Sequence, residues 1–270
     1  MAKKISDRVN LIDTFKDFKD ASSQCANYFK SLGIKKGDRV MLVLKRHYQF
    51  WFAILGLHKL GAIAIPATNQ LVEHDFVYRF QAADVSAIVC TADGVCAEQV
   101  ELAEKSAGMN LTKILVGGTR DGWRDFDEEY KLFSSHFERK ESTPCGDDIM
   151  LMYFTSGTTG MPKMAAHSWT YPIAQTVTAY YWHNVSDGDI HIAVADTGWA
   201  KAGGGKLYGQ WICGATLFVY DFDRFDAEKI LPKFAQYGIT TFCAPPTMYR
   251  MLAKQDLSRF DLSSIHHATT

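Results

Sequence analysis

Apolar residues in this chain cluster in short dense runs, and the stretches between the runs carry apolar positions at three- to four-residue spacing. Arg39–Leu44 (RVMLVL), announced by the turn-former Lys36-Gly37-Asp38, predicts a strand, as does Ala62–Ala67. Between them, residues 48–60 (YQFWFAILGLHKL) suit a buried helix. The alternation continues with helix 72–83, strand 87–90, helix 95–107 and strand 113–116. A looser polar segment follows, then strand 149–155 (IMLMYFT). Later runs predict strands 190–195, 216–220 and 240–244. The helix between the last two is well marked: Asp226 can cap it, Glu228 suits its first turn, Ile230, Leu231, Phe234 and Tyr237 share a face, and Gly238 stops it. Strands alternating with helices predict an α/β fold of layered, mostly parallel sheets with flanking helices.

The end of the chain breaks this rhythm. A helix over 246–255 (PTMYRMLAKQ) leads into LSRFDLSSIHHATT, a connection and then a rising strand with no helix after it. Parallel strands are normally covered on both faces, so the fold is expected to continue past Thr270. The alternative is a short edge strand that closes the fold; if the chain is instead an interaction module, the open C-terminal edge is a candidate self-association surface. The expected organisation is a segment 1–17, then two pieces of one large domain, about 18–145 and 146–270.

Composition narrows the partners. The chain of 270 residues is 47% hydrophobic and 22% charged, ordinary for a globular protein, and its formal net charge of -1 supplies no field for nucleic acid or an anionic membrane. The six cysteines are scattered without zinc spacing, which predicts reduced thiols and a cytoplasmic protein; Cys90, Cys213 and Cys243 read as small buried hydrophobes. MAKKISDRVNLIDTF lacks the apolar core of a signal peptide. The most apolar stretch, FWFAILGLHKLGAIAIPA, is interrupted by His58, Lys59 and Pro66, so no membrane span is expected.

The chemistry concentrates after strand 149–155, in TSGTTGMPK. A flexible surface loop is the bland reading. A Walker-type phosphate loop is a second, and it fails: Gly157 and Gly160 are too close, Pro162 removes an N–H the loop would need, and Met164 stands where a magnesium-binding hydroxyl belongs. The third is a different anion loop. Hydroxyls of Thr155, Ser156, Thr158 and Thr159 join backbone N–H groups, Gly157 and Gly160 permit close approach, and Lys163 adds a point charge.

That third reading carries a resemblance. T-S-G-T-T-G-M-P-K after an apolar strand resembles the signature loop of the adenylate-forming (AMP-binding) enzymes: acyl-CoA synthetases, luciferases and peptide-synthetase adenylation domains. LGIKKGDRVMLVL, FWFAILGLHKLGAIAIPATNQL, ADTGWAKAGGGKLYGQWICGATLFVYD and FCAPPTMYRML extend the likeness in family order over about residues 18–270, while residues 1–17 match poorly. DTGW, KMAAHS and PPTMYRMLAKQDLS are most similar to the medium-chain acyl-CoA synthetases.

The resemblance implies an incomplete large N-terminal domain of the acyl-CoA synthetase type. The family's reaction joins a carboxylic acid and ATP, with Mg²⁺, into an acyl-adenylate and pyrophosphate, then passes the acyl group to coenzyme A. It implies that Thr155, Ser156, Gly157, Thr158, Thr159, Gly160 and Lys163 hold the β- and γ-phosphates, none of them as a nucleophile. Trp199, beside Gly198, matches a position that lines the acyl pocket; its alternative is a core tryptophan at a helix head. The run Gly203–Gly205 lacks nucleotide-loop spacing and reads as tight helix packing. His167, placed on a predicted helix start, is a candidate to approach nucleotide or acyl group, against capping or packing. His266 and His267 point to opposite faces of a strand and make a poor metal pair.

The family's later motifs are missing from these residues: the Y-G-x-T-E glutamate for Mg²⁺, the T-G-D aspartate for ribose and the catalytic lysine of a small C-terminal domain. They are expected beyond Thr270, so this chain alone is expected to be inactive. A non-catalytic binding or interaction module that keeps part of the fold is the other reading.

Overall fold

The computed structural model describes residues 13–156 and 160–270, which divide into two compact units, 1–169 and 170–270. The seam falls later than the expected 145/146 because two further strands join the first sheet.

The first unit opens with α1 (Phe15–Ser31), capped by a reciprocal box in which Thr14 accepts from the Asp17 N–H and Asp17 accepts from that of Thr14. There follow β1 (Arg39–Val43), α2 (Gln49–Leu60), β2 (Ile63–Pro66), α3 (Glu73–Ala83), β3 (Val85–Thr91), α4 (Cys96–Ala107), β4 (Thr112–Val116), the short β5 (Arg124–Asp125) and α5 (Phe126–Glu129), then β6 (Ile149–Thr155) and β7 (Lys163–Ser168). They form a seven-stranded sheet in the order β5-β4-β3-β1-β2-β6-β7. Every pairing is parallel except β6 with β7, which is antiparallel.

Runs read as strands from apolar density are buried on both faces, as a parallel sheet requires: β1 from Val40 to Val43 and β2 throughout. One core layer packs Phe76, Phe80, Val100 and Ala103 of α3 and α4 against Met41, Ile65, Ile88 and Leu115. Gly61 ends α2 in the left-handed conformation at φ 86°, and its N–H closes the last turn on Leu57 and His58.

The second unit contains α6 (Tyr171–Val177), which runs into a π-helical turn (Thr178–Trp182), then β8 (Ile190–Ala193), α7 (Ala200–Lys206), α8 (Tyr208–Ile212) and β9 (Thr216–Leu217). It continues with α9 (Ala227–Tyr237), β10 (Thr241–Cys243), α10 (Pro246–Leu252) and β11 (His267–Thr269). Its sheet is wholly parallel in the order β11-β10-β8-β9. The helix signals around 226–238 are realised: the Asp226 carboxylate accepts from the Glu228 N–H, and Gly238 leaves α9 at φ 60°. Tyr249 locks the edge, donating its hydroxyl hydrogen to Thr269 O at 2.8 Å, and burial pushes its pKa up to about 12.

Two expectations need correction. KMAAHS is strand β7, so His167 stands inside a hairpin strand and not at a helix start. Alanine and methionine favour helix locally, but the open edge of β6 supplies backbone partners from Ile149 to Thr155 and overrides that preference. Cys213 is also not a buried hydrophobe; it is half-exposed at the end of α8, whereas Cys90 and Cys243 are buried, and all six thiols are free.

Candidate functional site

The signature loop is the tip of the β6–β7 hairpin. Ladder partners Thr155 and Lys163 face one another across its base, and the Thr155 hydroxyl donates to the Lys163 carbonyl at 3.3 Å. Thr155, Ser156, Gly160 and Lys163 are all exposed, so their polar groups are open to a ligand. Gly160 stands at φ 101° with open space where a side chain would be, a backbone state that excludes other residues on conformational grounds. Gly157, Thr158 and Thr159, the other predicted phosphate ligands, lie outside the described residues.

Strand alternation fixes what else the hairpin can present. Residues two apart share a face, so Lys163, Ala165 and His167 line one side of β7, opposite Thr155, Tyr153 and Leu151. His167 is four residues from Lys163, about 13 Å along a strand. Its ring meets the buried Tyr153 edge-on at 6.0 Å, and burial lowers its pKa. The hairpin therefore brings Thr155, Ser156, Gly160 and Lys163 together and sets His167 apart from them.

α3 braces the base of the hairpin. The Tyr78 hydroxyl donates to Pro162 O at 2.7 Å, its ring meets Phe154 edge-on at 6.0 Å, and the Arg79 guanidinium lies 5.2 Å from the centre of the Phe154 ring. A surface cleft of about 640 Å³ runs beside α3 and is lined by Glu73, His74, Tyr78 and Gln99 among others.

In the second unit, Asp196-Thr197-Gly198 makes the turn into α7: the Gly198 N–H donates to the Asp196 carboxylate at 2.9 Å and the Trp199 N–H to Asp196 O at 3.1 Å. Trp199 is the N-cap residue of α7, and it is 54% exposed. Within the glycine run, Gly204 and Gly205 differ in how closely they are packed. A Cβ on Gly204 would come within 2.6 Å of the Gln175 side-chain oxygen, whereas one on Gly205 meets ordinary contacts from 3.6 Å outward.

Beneath α7 lies a buried polar group that the sequence did not single out. The His191 Nε2–H donates to Gly205 O at 2.8 Å while Nδ1 faces the Thr241 hydroxyl at 2.8 Å. Gln210 donates to His183 Nδ1 at 2.8 Å and to Gly204 O at 3.1 Å, and the two imidazoles stack at 5.0 Å. Each imidazole is 3% exposed or less. Burial pushes His183 down to about 4 and His191 to about 3, so both are neutral at pH 7. These groups hold the carbonyls of the segment that Trp199 heads.

A histidine with a depressed folded pKa opposes folding only where the unfolded chain takes up its proton, below the ordinary value of about 6.5. Stability of the second unit is therefore expected to be flat from pH 8 to 7. It should then fall with acid, by up to about 1.4 kcal/mol per pH unit for each histidine, until the folded values near 4 and 3 are reached. Asp189 adds its own loss lower down: burial disfavours its charge, but hydrogen bonds from His266, Ser186 and Thr240 outweigh this and hold it at about 2. Urea titrations at half-unit steps check this, and a midpoint constant from pH 7 to 5 would contradict it.

His266 and His267 diverge as expected. His266 Nε2 meets Asp189 Oδ1 at 2.9 Å, and the His267 ring N–H donates to Trp182 O at 2.9 Å. Among the described residues no group of three or more His, Cys, Asp or Glu side chains could hold a metal ion, and no helix is long and apolar enough to cross a membrane.

The AMP-binding enzyme family matches residues 2–270, and the chain belongs to that family. It is 35% identical over 95% of its length to human mitochondrial acyl-coenzyme A synthetase ACSM4, and 36% identical, also over 95%, to mouse mitochondrial ACSM5. The chain spans 44% of the length of each of these relatives. Among solved structures it is similar to a Brucella canis acyl-CoA synthetase, with a TM-score of 0.76 at 27% identity over 89% of this chain and 43% of that one. The anthranilate CoA ligase AuaEII, solved with anthranoyl-AMP, shares the fold with a TM-score of 0.86 at 24% identity, over 95% of this chain and 49% of that one.

Proposed function

We propose that the chain carries the triphosphate-holding part of an AMP-forming acyl-CoA synthetase, with a medium-chain or related carboxylic acid as substrate. The observation that carries this reading is the hairpin tip itself, with the exposed Thr155, Ser156, Gly160 and Lys163 gathered at one end of a rigid two-stranded ladder. Hydroxyl and N–H donors from Thr155 to Gly160, with Gly157, Thr158 and Thr159 included, bind the β- and γ-phosphates. Lys163 neutralises charge as the carboxylate approaches, so positioning and electrostatics supply the catalysis. Trp199 and Gly198 serve as one wall of the acyl pocket. His167 lies too far along β7 to share the phosphates with Lys163, and its two readings are a role toward another part of the ligand and packing against Tyr153.

ATP and coenzyme A enter as substrates. Among the described residues no group of three or more His, Cys, Asp or Glu side chains is placed to hold a metal ion, and a Mg²⁺ held by one or two carboxylates together with the phosphates of ATP would enter with the nucleotide. The family resemblance assigns the magnesium glutamate, the ribose aspartate and the catalytic lysine to motifs that these 270 residues lack. Pyrophosphate release with ATP, Mg²⁺ and a panel of short, medium and aromatic acids is accordingly expected to stay at background for this chain. Turnover would overturn that expectation. A reducing compartment, the cytoplasm, suits the six free thiols, although the relatives' names place them in mitochondria; cell fractionation decides.

A second reading, an interaction module, is favoured by one surface. Ile173, Val177, Tyr181 and Trp182 are each more than half exposed on α6 and its π-helical turn, and His267 at the start of β11 bonds to Trp182. Self-association through the β11 edge would then appear as a dimer in light scattering.

A further inference from the structure

We propose that Tyr78 is a positioning residue of the signature loop, holding Pro162 so that Lys163 points at the phosphates; this rests on reading the loop as a phosphate site. The β6–β7 ladder begins at Thr155 and Lys163, so Pro162 lies one residue outside it. A proline carries no N–H, and the chain at Pro162 can be fixed by hydrogen bonding only through its carbonyl. That carbonyl receives the Tyr78 hydroxyl at 2.7 Å.

The same helix grips the other arm of the hairpin. Tyr78 meets Phe154 edge-on, and Arg79, held to Asp75 by a 2.9 Å bond to its carbonyl and an ion pair at 3.5 Å, lies over the same ring. Both ends of the loop, at Phe154 and Pro162, are thus tied to α3, one by aromatic and cationic contact and the other by a directed hydrogen bond. A lysine is a flexible point charge. Its value to an anion depends on how little freedom is lost when the anion arrives, and the bond next to it in the chain restrains the backbone from which it reaches.

Tyr78→Phe removes one oxygen and keeps the ring against Phe154, so the fold is expected to persist. Two measurements separate the parts of the inference. In the ligand-free protein, hydrogen exchange of peptides covering 160–166 should quicken about fivefold, the scale of one lost hydrogen bond, while β1, β3 and β4 exchange as in wild type. In calorimetry with inorganic pyrophosphate, affinity should fall about five- to tenfold at a temperature where both proteins are folded. Unchanged exchange overturns the tether. Quickened exchange with unchanged pyrophosphate affinity overturns the positioning role. A wild-type chain that binds no pyrophosphate sinks the phosphate reading and the positioning role together, and the exchange result still decides whether Tyr78 tethers the hairpin.

Discussion

Replacing Gly209 with alanine is expected to destabilise the second unit by about 3 kcal/mol, the upper end of what overpacking costs. The reason is a backbone approach: a Cβ at Gly209 of α8 would lie 2.2 Å from the carbonyl oxygen of Gln175 in α6, 2.6 Å from its carbonyl carbon and 3.0 Å from Ala179 Cβ. No rotamer change relieves a clash with main chain, so α6 and α8 must separate. Gly204→Ala is the informative contrast, because its new methyl would meet only the end of the Gln175 side chain. That end can swing away, and alanine is the better helix former by about 1 kcal/mol, so Gly204→Ala should stay within about 1 kcal/mol of wild type. Urea unfolding followed by the fluorescence of Trp182, Trp199 and Trp211 reads both variants. Equal midpoints for Gly209→Ala and wild type would contradict the close crossing.

The second large effect concerns binding. Lys163→Ala should weaken pyrophosphate affinity about 10- to 100-fold, corresponding to the roughly 1.5–3 kcal/mol of a charge-assisted hydrogen bond. Stability should barely move, because Lys163 is exposed at the end of β7. Lys163→Arg keeps the charge in a planar fork and should fall between the two.

Much of this was legible from local pattern. Apolar density with helical periods between gave the order of β1, α2, β2, α3, β3, α4 and β4, because parallel strands buried on both faces leave continuous hydrophobic runs. Asp226 and Gly238 bracket α9 by cap chemistry that acts over a few residues. Local signals failed where a distant partner decided the outcome. KMAAHS became a strand only because β6 offered an edge, and this moved His167 and shifted the seam between the two units beyond 145.

The site was legible in the same uneven way. The unusual run Thr155–Lys163 marks the proposed phosphate loop without help from the fold. Tyr78, by contrast, is an ordinary aromatic on an amphipathic helix, and its bond to Pro162 spans 84 residues. Gly209 and the pair His183 and His191 are equally silent in sequence. A single glycine and two scattered histidines acquire meaning only when α6, α7, α8 and β8 are brought together.

Calorimetric titration of inorganic pyrophosphate into the 270-residue chain and into Lys163→Ala tests the phosphate assignment most directly. Weak binding by the unaltered chain, reduced at least about tenfold by the substitution, is the predicted result. No binding by the unaltered chain, or binding that Lys163→Ala leaves untouched, would contradict it.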